Sequence, residues 1–107
     1  MAIASATSKN KKTIRLSTER WFHITESHDY MAGYFYDVLE TINEPDLIIT
    51  GRKGELLAAK FQKKTHLGPK HLIVVYKETD TEGFVITAFM TSKIDNILKK
   101  GIVWQKQ

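Results

Sequence analysis

The hydrophobic period of the chain changes near residue 45, and this change constrains the fold most. Before that point, apolar residues recur at helical spacing through Met31, Val38 and Ile42, and Pro45 ends the pattern. After it, short segments alternate between apolar and polar positions and are separated by turns that contain Gly or Asp. The 107 residues suffice for one core. The sequence therefore predicts that a helical segment ends near residue 45 and that strands follow it.

The predicted order is β-α-α-β-β-β-β-α, and short connections between the later strands favour antiparallel pairing. The predicted fold class is α+β: an N-terminal helix pair packed on a four-stranded antiparallel sheet, with a short C-terminal helix. Residues 1–12, which are small, polar and then basic, are expected to form a disordered arm before a single domain over 13–107. Strict alternation in the last strand would place Phe84, Ile86, Ala88 and Met90 on one face, and Val85, Thr87, Phe89 and Thr91 on the other.

Charge is distributed in blocks along the chain. Residues 21–50 carry six acidic residues and no Lys or Arg, whereas residues 51–77 carry seven Lys or Arg and one Glu. A basic strand face would attract a polyanion, although lysines at strand ends can equally serve only solubility. The chain has no cysteine, no apolar run long enough to span a bilayer and no signal-peptide pattern at its start. We therefore expect a cytoplasmic protein without membrane contact.

Two histidines, His23 and His28, lie in the first predicted helix. Five residues of helix separate them by roughly 140°, so they do not share a face and a common metal ion is not expected. No catalytic triad or glycine-rich phosphate loop is present in the sequence either. The histidines are therefore interpreted as separate groups, and neither a metal nor a cofactor is predicted.

Metal-independent cleavage of RNA is a chemistry that such groups can perform. It needs a base for the ribose 2′-hydroxyl, an acid for the leaving oxygen and donors for the charge on phosphorus. His23 or His28 could supply the base or acid, because imidazole ionises nearest neutrality. Lys60 could neutralise the phosphate, and Thr87 and Thr91 could donate hydrogen bonds. The alternatives are a half-buried His28, an exposed His23, a solvated lysine and threonines chosen for strand propensity.

Candidates for RNA binding follow from the basic segment and its aromatic residues. Lysines and a histidine near the loop after residue 62 could contact phosphates, and two strand aromatics could stack unpaired bases. Buried core positions are the alternative for both aromatics. The residues in question are Lys63, Lys64, Lys70, His71, Tyr76 and Phe89.

The order and spacing of several segments resemble a phage-associated nuclease-like family of the barnase, EndoU, colicin and RelE-like assemblage. The similar segments, within roughly residues 13–92, are ERWFHITESH, MAGYFYDVLETINEPDLI, GELLAAKF, HLIVVYKE and GFVITAFMTS. The resemblance implies a RelE/barnase-like sheet and a metal-independent ribonuclease site. Carried over by position, that site comprises the two helix histidines, a basic strand residue and two hydroxyls of the last strand: His23, His28, Lys60, Thr87 and Thr91.

The leading hypothesis is therefore a toxin-like or phage-derived endoribonuclease that cleaves by attack of the 2′-hydroxyl. Its partners would be RNA, in free or ribosome-associated form, and an antitoxin or immunity protein, while homo-oligomer formation stays open. Two other hypotheses are a non-catalytic RNA- or ribosome-binding module and a protein-interaction domain of a toxin–antitoxin or phage system. The first of these predicts salt-sensitive RNA binding without cleavage.

Overall fold

A mixed seven-stranded sheet and three α-helices are formed by residues 2–107, which are the residues described in the computed structural model. The strands before the helices are β1 (Ala2–Thr7) and β2 (Thr13–Ser17). The helical layer consists of α1 (Thr18–Ser27), a 3₁₀ turn (Asp29–Gly33) and α2 (Phe35–Asn43). The remaining elements are β3 (Leu47–Thr50), β4 (Leu56–Gln62), β5 (Lys70–Glu78), β6 (Glu82–Thr91), α3 (Ile94–Leu98) and β7 (Ile102–Gln105).

The predicted four-stranded antiparallel sheet behind an N-terminal helix pair is wrong. The observed strand order is β1-β2-β6-β5-β4-β3-β7, and β2 pairs with β6 in parallel while the other neighbours are antiparallel. β1, which falls in the segment expected to be disordered, pairs with β2 over Ala4↔Leu16 to Thr7↔Thr13. β7 extends the other edge by pairing with β3. Both edge strands are short and lack a strong alternating pattern, so tertiary pairing rather than local propensity decides their conformation.

A serine side chain caps the N-terminus of α1. Ser17 is its N-cap, and its hydroxyl accepts a hydrogen bond from the backbone N–H of Arg20 at 3.0 Å. Such a cap satisfies one of the N–H groups that the first helical turn leaves without a partner. α2 ends at Asn43, two residues before Pro45, as the sequence predicts.

The sheet has two unequal faces. One face, which we call the helix face, packs against α1 and α2 and contains the main core, with Ile14, Leu72 and Val74 fully buried. The opposite face, which we call the α3 face, carries a smaller cluster that includes Ile49 and Ile73, and the short helix α3 packs against it. The apolar side chains of α3 cover only part of this face.

The predicted faces of β6 are correct from Thr87 to Thr91 but wrong before Thr87, because the strand contains a bulge. The register with β5 shifts between Val75↔Thr87 and Tyr76↔Val85. An extra residue in one strand reverses the alternation beyond it. Val85, Ala88 and Met90 therefore belong to the helix face, whereas Ile86 and Phe89 belong to the α3 face.

No helix in the part of the chain that the structure describes is both long and apolar enough to cross a membrane.

Candidate nucleic-acid interface

The five candidate catalytic residues do not converge on one cleft. Lys60 is on the helix face, where its ammonium donates a hydrogen bond to the carbonyl oxygen of Glu44 at 2.9 Å. Thr87 and Thr91 are on the α3 face, as their partners in β5 show. Lys60 therefore cannot act on a phosphate that these threonines hold. Its contact instead stabilises the C-terminal end of α2, where backbone carbonyls carry partial negative charge.

The two helix histidines have different surroundings. His23 is exposed on α1, while His28 is half-buried at the C-terminus of that helix. The His28 ring lies 6.1 Å from the ring of Phe89 and 5.7 Å from that of Tyr30, measured between centroids. The Tyr30 hydroxyl in turn accepts a hydrogen bond from the backbone N–H of Met90 at 3.2 Å. The same hydroxyl lies 3.4 Å from Nδ1 of His28, so Tyr30 joins His28 to the last part of β6, and His28 rather than His23 borders the α3 face.

The two aromatic candidates for base stacking, Tyr76 and Phe89, lie on opposite faces of the sheet. Tyr76 is only 1% exposed on the helix face, and burial together with the negative charge of Glu78 raises the pKa of its phenol above the ordinary value. It is a core residue and cannot stack on a base. Phe89 is half-buried on the α3 face and remains a candidate.

A row of three side chains crosses the α3 face near the ends of β4, β5 and β6. The strand register pairs Phe61 with His71 and His71 with Thr91. The rings of Phe61 and His71 are 5.2 Å apart at an interplanar angle of 57°. Phe89 precedes Thr91 by two residues and therefore shares its face. We call the set Phe61, His71, Phe89 and His28 the aromatic patch.

Phe61 is the member of the patch that the sequence did not identify. It alternates with Leu57 and Ala59 along β4 and shares their face, as the pairing with β5 shows. In the structure it is 47% exposed, whereas Leu57 and Ala59 are buried in the cluster against which α3 packs. The signal that could have revealed it is its place at the end of the strand, directly before the polar run Gln62-Lys63-Lys64.

Positive charge borders the aromatic patch. Lys63 and Lys64 follow Phe61 by two and three residues, and both are exposed. Lys93, also exposed, follows Thr91 by two residues, and its backbone N–H donates to the threonine hydroxyl at 3.0 Å. Lys70 begins β5 next to His71 but pairs with Gln62, on the helix-face side of the row. The patch therefore combines partly exposed rings with cationic residues at its margin.

The remaining histidine, His66, belongs to a different surface. Its ring stacks on Tyr34 and shares a 2.9 Å hydrogen bond with the tyrosine hydroxyl. Across residues 2–107, no three His, Asp or Glu side chains are grouped so that they could hold a metal ion.

Comparison with protein-family models gives no match, and comparisons with curated proteins and with solved structures give none at a significant level. The resemblance to the barnase, EndoU, colicin and RelE-like assemblage is not tested by these comparisons and stays a prediction.

Proposed function

We propose that this chain is an RNA-binding module that binds a single strand through the aromatic patch. The observation that carries this proposal is the row Phe61–His71–Thr91 with Phe89 behind it, on a sheet face that α3 leaves partly uncovered. Unpaired bases stack on aromatic rings presented by a sheet, and each stacked base contributes about 1–3 kcal/mol. Lysines at the margin of such a surface supply the attraction to phosphate.

A ribonuclease is the second candidate, and one observation favours it. The His28 ring lies 6.1 Å from the ring of Phe89, and His71 shares the α3 face with Phe89, Thr87 and Thr91, whose hydroxyls can donate hydrogen bonds. In this version one imidazole removes the proton of the 2′-hydroxyl and the other protonates the leaving 5′-oxygen, giving a cyclic phosphate. Neither His23 nor Lys60 takes part. If the chain is a ribonuclease, we further propose that it has a toxin-like or phage-derived origin, a neutralising partner and a cytoplasmic location.

Incubation with a short fluorescein-labelled single-stranded RNA in the presence of EDTA tests both functions together. Fluorescence anisotropy measures binding, and a denaturing gel of the same samples measures cleavage. If the module binds through three lysines, the logarithm of the affinity should fall with the logarithm of salt concentration with a slope of about −2. An affinity that salt does not change, or no binding at all, would contradict the RNA-binding proposal.

Cleavage on that gel would have a specific dependence on residues. His28→Ala and His71→Ala should each abolish it, whereas His23→Ala, which changes an exposed imidazole of the same helix, should leave it unchanged. If His23→Ala abolishes cleavage and His71→Ala does not, the assignment of the two imidazoles is wrong. Intact RNA in every lane, together with salt-sensitive binding, supports the non-catalytic module.

A further inference from the structure

A cavity on the helix face lies where the two edges of the sheet approach each other. β1 and β7 are opposite edge strands, yet Lys9, in the turn after β1, lies with its ammonium 5.3 Å from the ring centroid of Trp104 in β7. The sheet therefore curves around α2 until the β1–β2 turn reaches the far edge. The space left between them has a volume of about 290 Å³ and is lined by Lys9, Asn10, Ile48, Leu56, Val103 and Trp104.

The turn that closes the cavity is held by contacts to the rest of the fold. The Asn10 side-chain amide donates to the carboxylate of Glu78 at 2.8 Å, and the Lys12 ammonium donates to the carbonyl oxygen of Thr79 at 2.6 Å. At the base of the turn, the N–H of Thr7 donates to the Asn43 side chain at 2.8 Å. Because three elements fix the turn, the cavity is a preformed feature of the fold, which is typical of small-molecule sites.

The chemistry of the walls defines the ligand. Ile48, Leu56 and Trp104 provide an apolar surface suited to a flat hydrophobic group, and Lys9 is the charged residue among the lining side chains. The Lys9 ammonium is paired with Glu44 at 3.4 Å, but the Glu44 side chain is 70% exposed. An exposed ion pair of this kind contributes little, so a ligand anion can replace the Glu44 carboxylate at little cost.

We propose that this cavity binds a small molecule with a flat apolar body and a single anionic group. The apolar body packs against Trp104, Ile48 and Leu56, and the anion takes the place of Glu44 on Lys9. A second cavity of about 380 Å³ shares Lys9 as a lining residue and is also lined by Lys11 and Glu40, so a polar extension of the ligand has space beside Lys9. The site lies on the side of the sheet opposite the aromatic patch, so it is independent of RNA binding.

Three related probes test this proposal by NMR titration of the nitrogen-15-labelled chain: 1-naphthoate, 1-naphthyl phosphate and the neutral 1-naphthalenemethanol. The indole N–H of Trp104 should shift with both anions, while that of Trp21, which lies on α1 and packs against Phe35 of α2, should not. The anion that binds more tightly identifies the headgroup as a carboxylate or a phosphate. If no probe shifts the Trp104 signal, or the neutral alcohol binds as tightly as both anions, the proposal is wrong.

Two substitutions should change the affinity in opposite directions. Lys9→Met should weaken both anions about fivefold, the factor expected for one partly exposed ion pair, and leave the alcohol unchanged. Glu44→Gln should strengthen them because it frees the ammonium. The matched control is Lys11→Met, which removes a lysine from the neighbouring cavity only. If the parent chain, Glu44→Gln and Lys9→Met all bind the anions with equal affinity, the role proposed for Lys9 is wrong. Glu44→Gln makes this test independent of any disturbance of the turn by Lys9→Met, because it retains the contact between Lys9 and Trp104.

Discussion

Gly83 allows a specific test of the parallel pairing that joins the first strands to the sheet. It lies in β6 opposite Ile14 of β2 on one side and Glu78 of β5 on the other. A Cβ atom at this position would collide with the backbone carbonyl oxygen of Lys77 and would lie 2.7 Å from the Cδ1 atom of Ile14. A backbone oxygen cannot rotate away as a side chain can, so one of the three strands must move.

The substitution Gly83→Ala should therefore lower the free energy of unfolding by about 2–3 kcal/mol, the upper part of the range for overpacked cores. For a domain of this size, each kcal/mol corresponds to a decrease in Tm of about 4–8 °C. Urea denaturation followed by circular dichroism measures the change, and an unchanged slope would confirm that the folded state itself is destabilised.

Gly33→Ala is the matched control. An added Cβ at Gly33 meets no heavy atom within 4 Å among the residues that the structure describes. Its free energy of unfolding should stay within about 0.5 kcal/mol of the parent value. If Gly83→Ala is as stable as Gly33→Ala, β2 and β5 do not enclose β6 as observed, and the strand order is wrong.

Three further substitutions test local features of the fold. Ser17→Ala removes the cap of α1 and should lower the free energy of unfolding by about 1 kcal/mol in urea denaturation. Lys60→Met removes the ammonium from the end of α2; it should lower stability by at most about 1 kcal/mol and leave RNA affinity in anisotropy titrations unchanged. Burial raises the pKa of the Tyr76 phenol, whereas in the unfolded chain this group ionises near pH ~10. The contribution of the neutral Tyr76 phenol to the free energy of unfolding should therefore be fully present below that pH and should be lost as the pH rises above it. In alkaline unfolding experiments, the free energy of unfolding of Tyr76→Phe should fall less with pH than that of the parent chain.

Helix boundaries were predictable because their signals are local. The hydroxyl of Ser17 and the fixed backbone angle of Pro45 act within a few residues, so the sequence alone marks the start of α1 and the end of α2. The edge strands were not predictable in the same way. β1 has small residues and becomes a strand only because β2 is available beside it, with Lys11 in the left-handed conformation (φ 68°) in the turn between them.

The candidate site was predictable only in part, for a geometric reason. Whether a strand residue faces the core depends on every residue before it, so the single bulge in β6 reversed the expected relation between Val85 and Thr87. His71 and Phe89, which the sequence offers as RNA-binding candidates, lie half-buried on the α3 face. The sequence could not show that Lys60 and Tyr76 lie on the helix face instead, because composition does not show which face of the sheet the helices cover.

RNA affinity of two phenylalanine variants tests the central claim most directly. Phe61 and Phe22 are both largely exposed, at 47% and 63%, but Phe61 lies in the aromatic patch and Phe22 on α1. Phe61→Ala should weaken binding of a single-stranded RNA by at least about fivefold, since one stacked base contributes 1–3 kcal/mol, while Phe22→Ala should bind as the parent chain does. Equal affinities for the parent chain and Phe61→Ala, or a loss confined to Phe22→Ala, would contradict RNA binding through this face of the sheet.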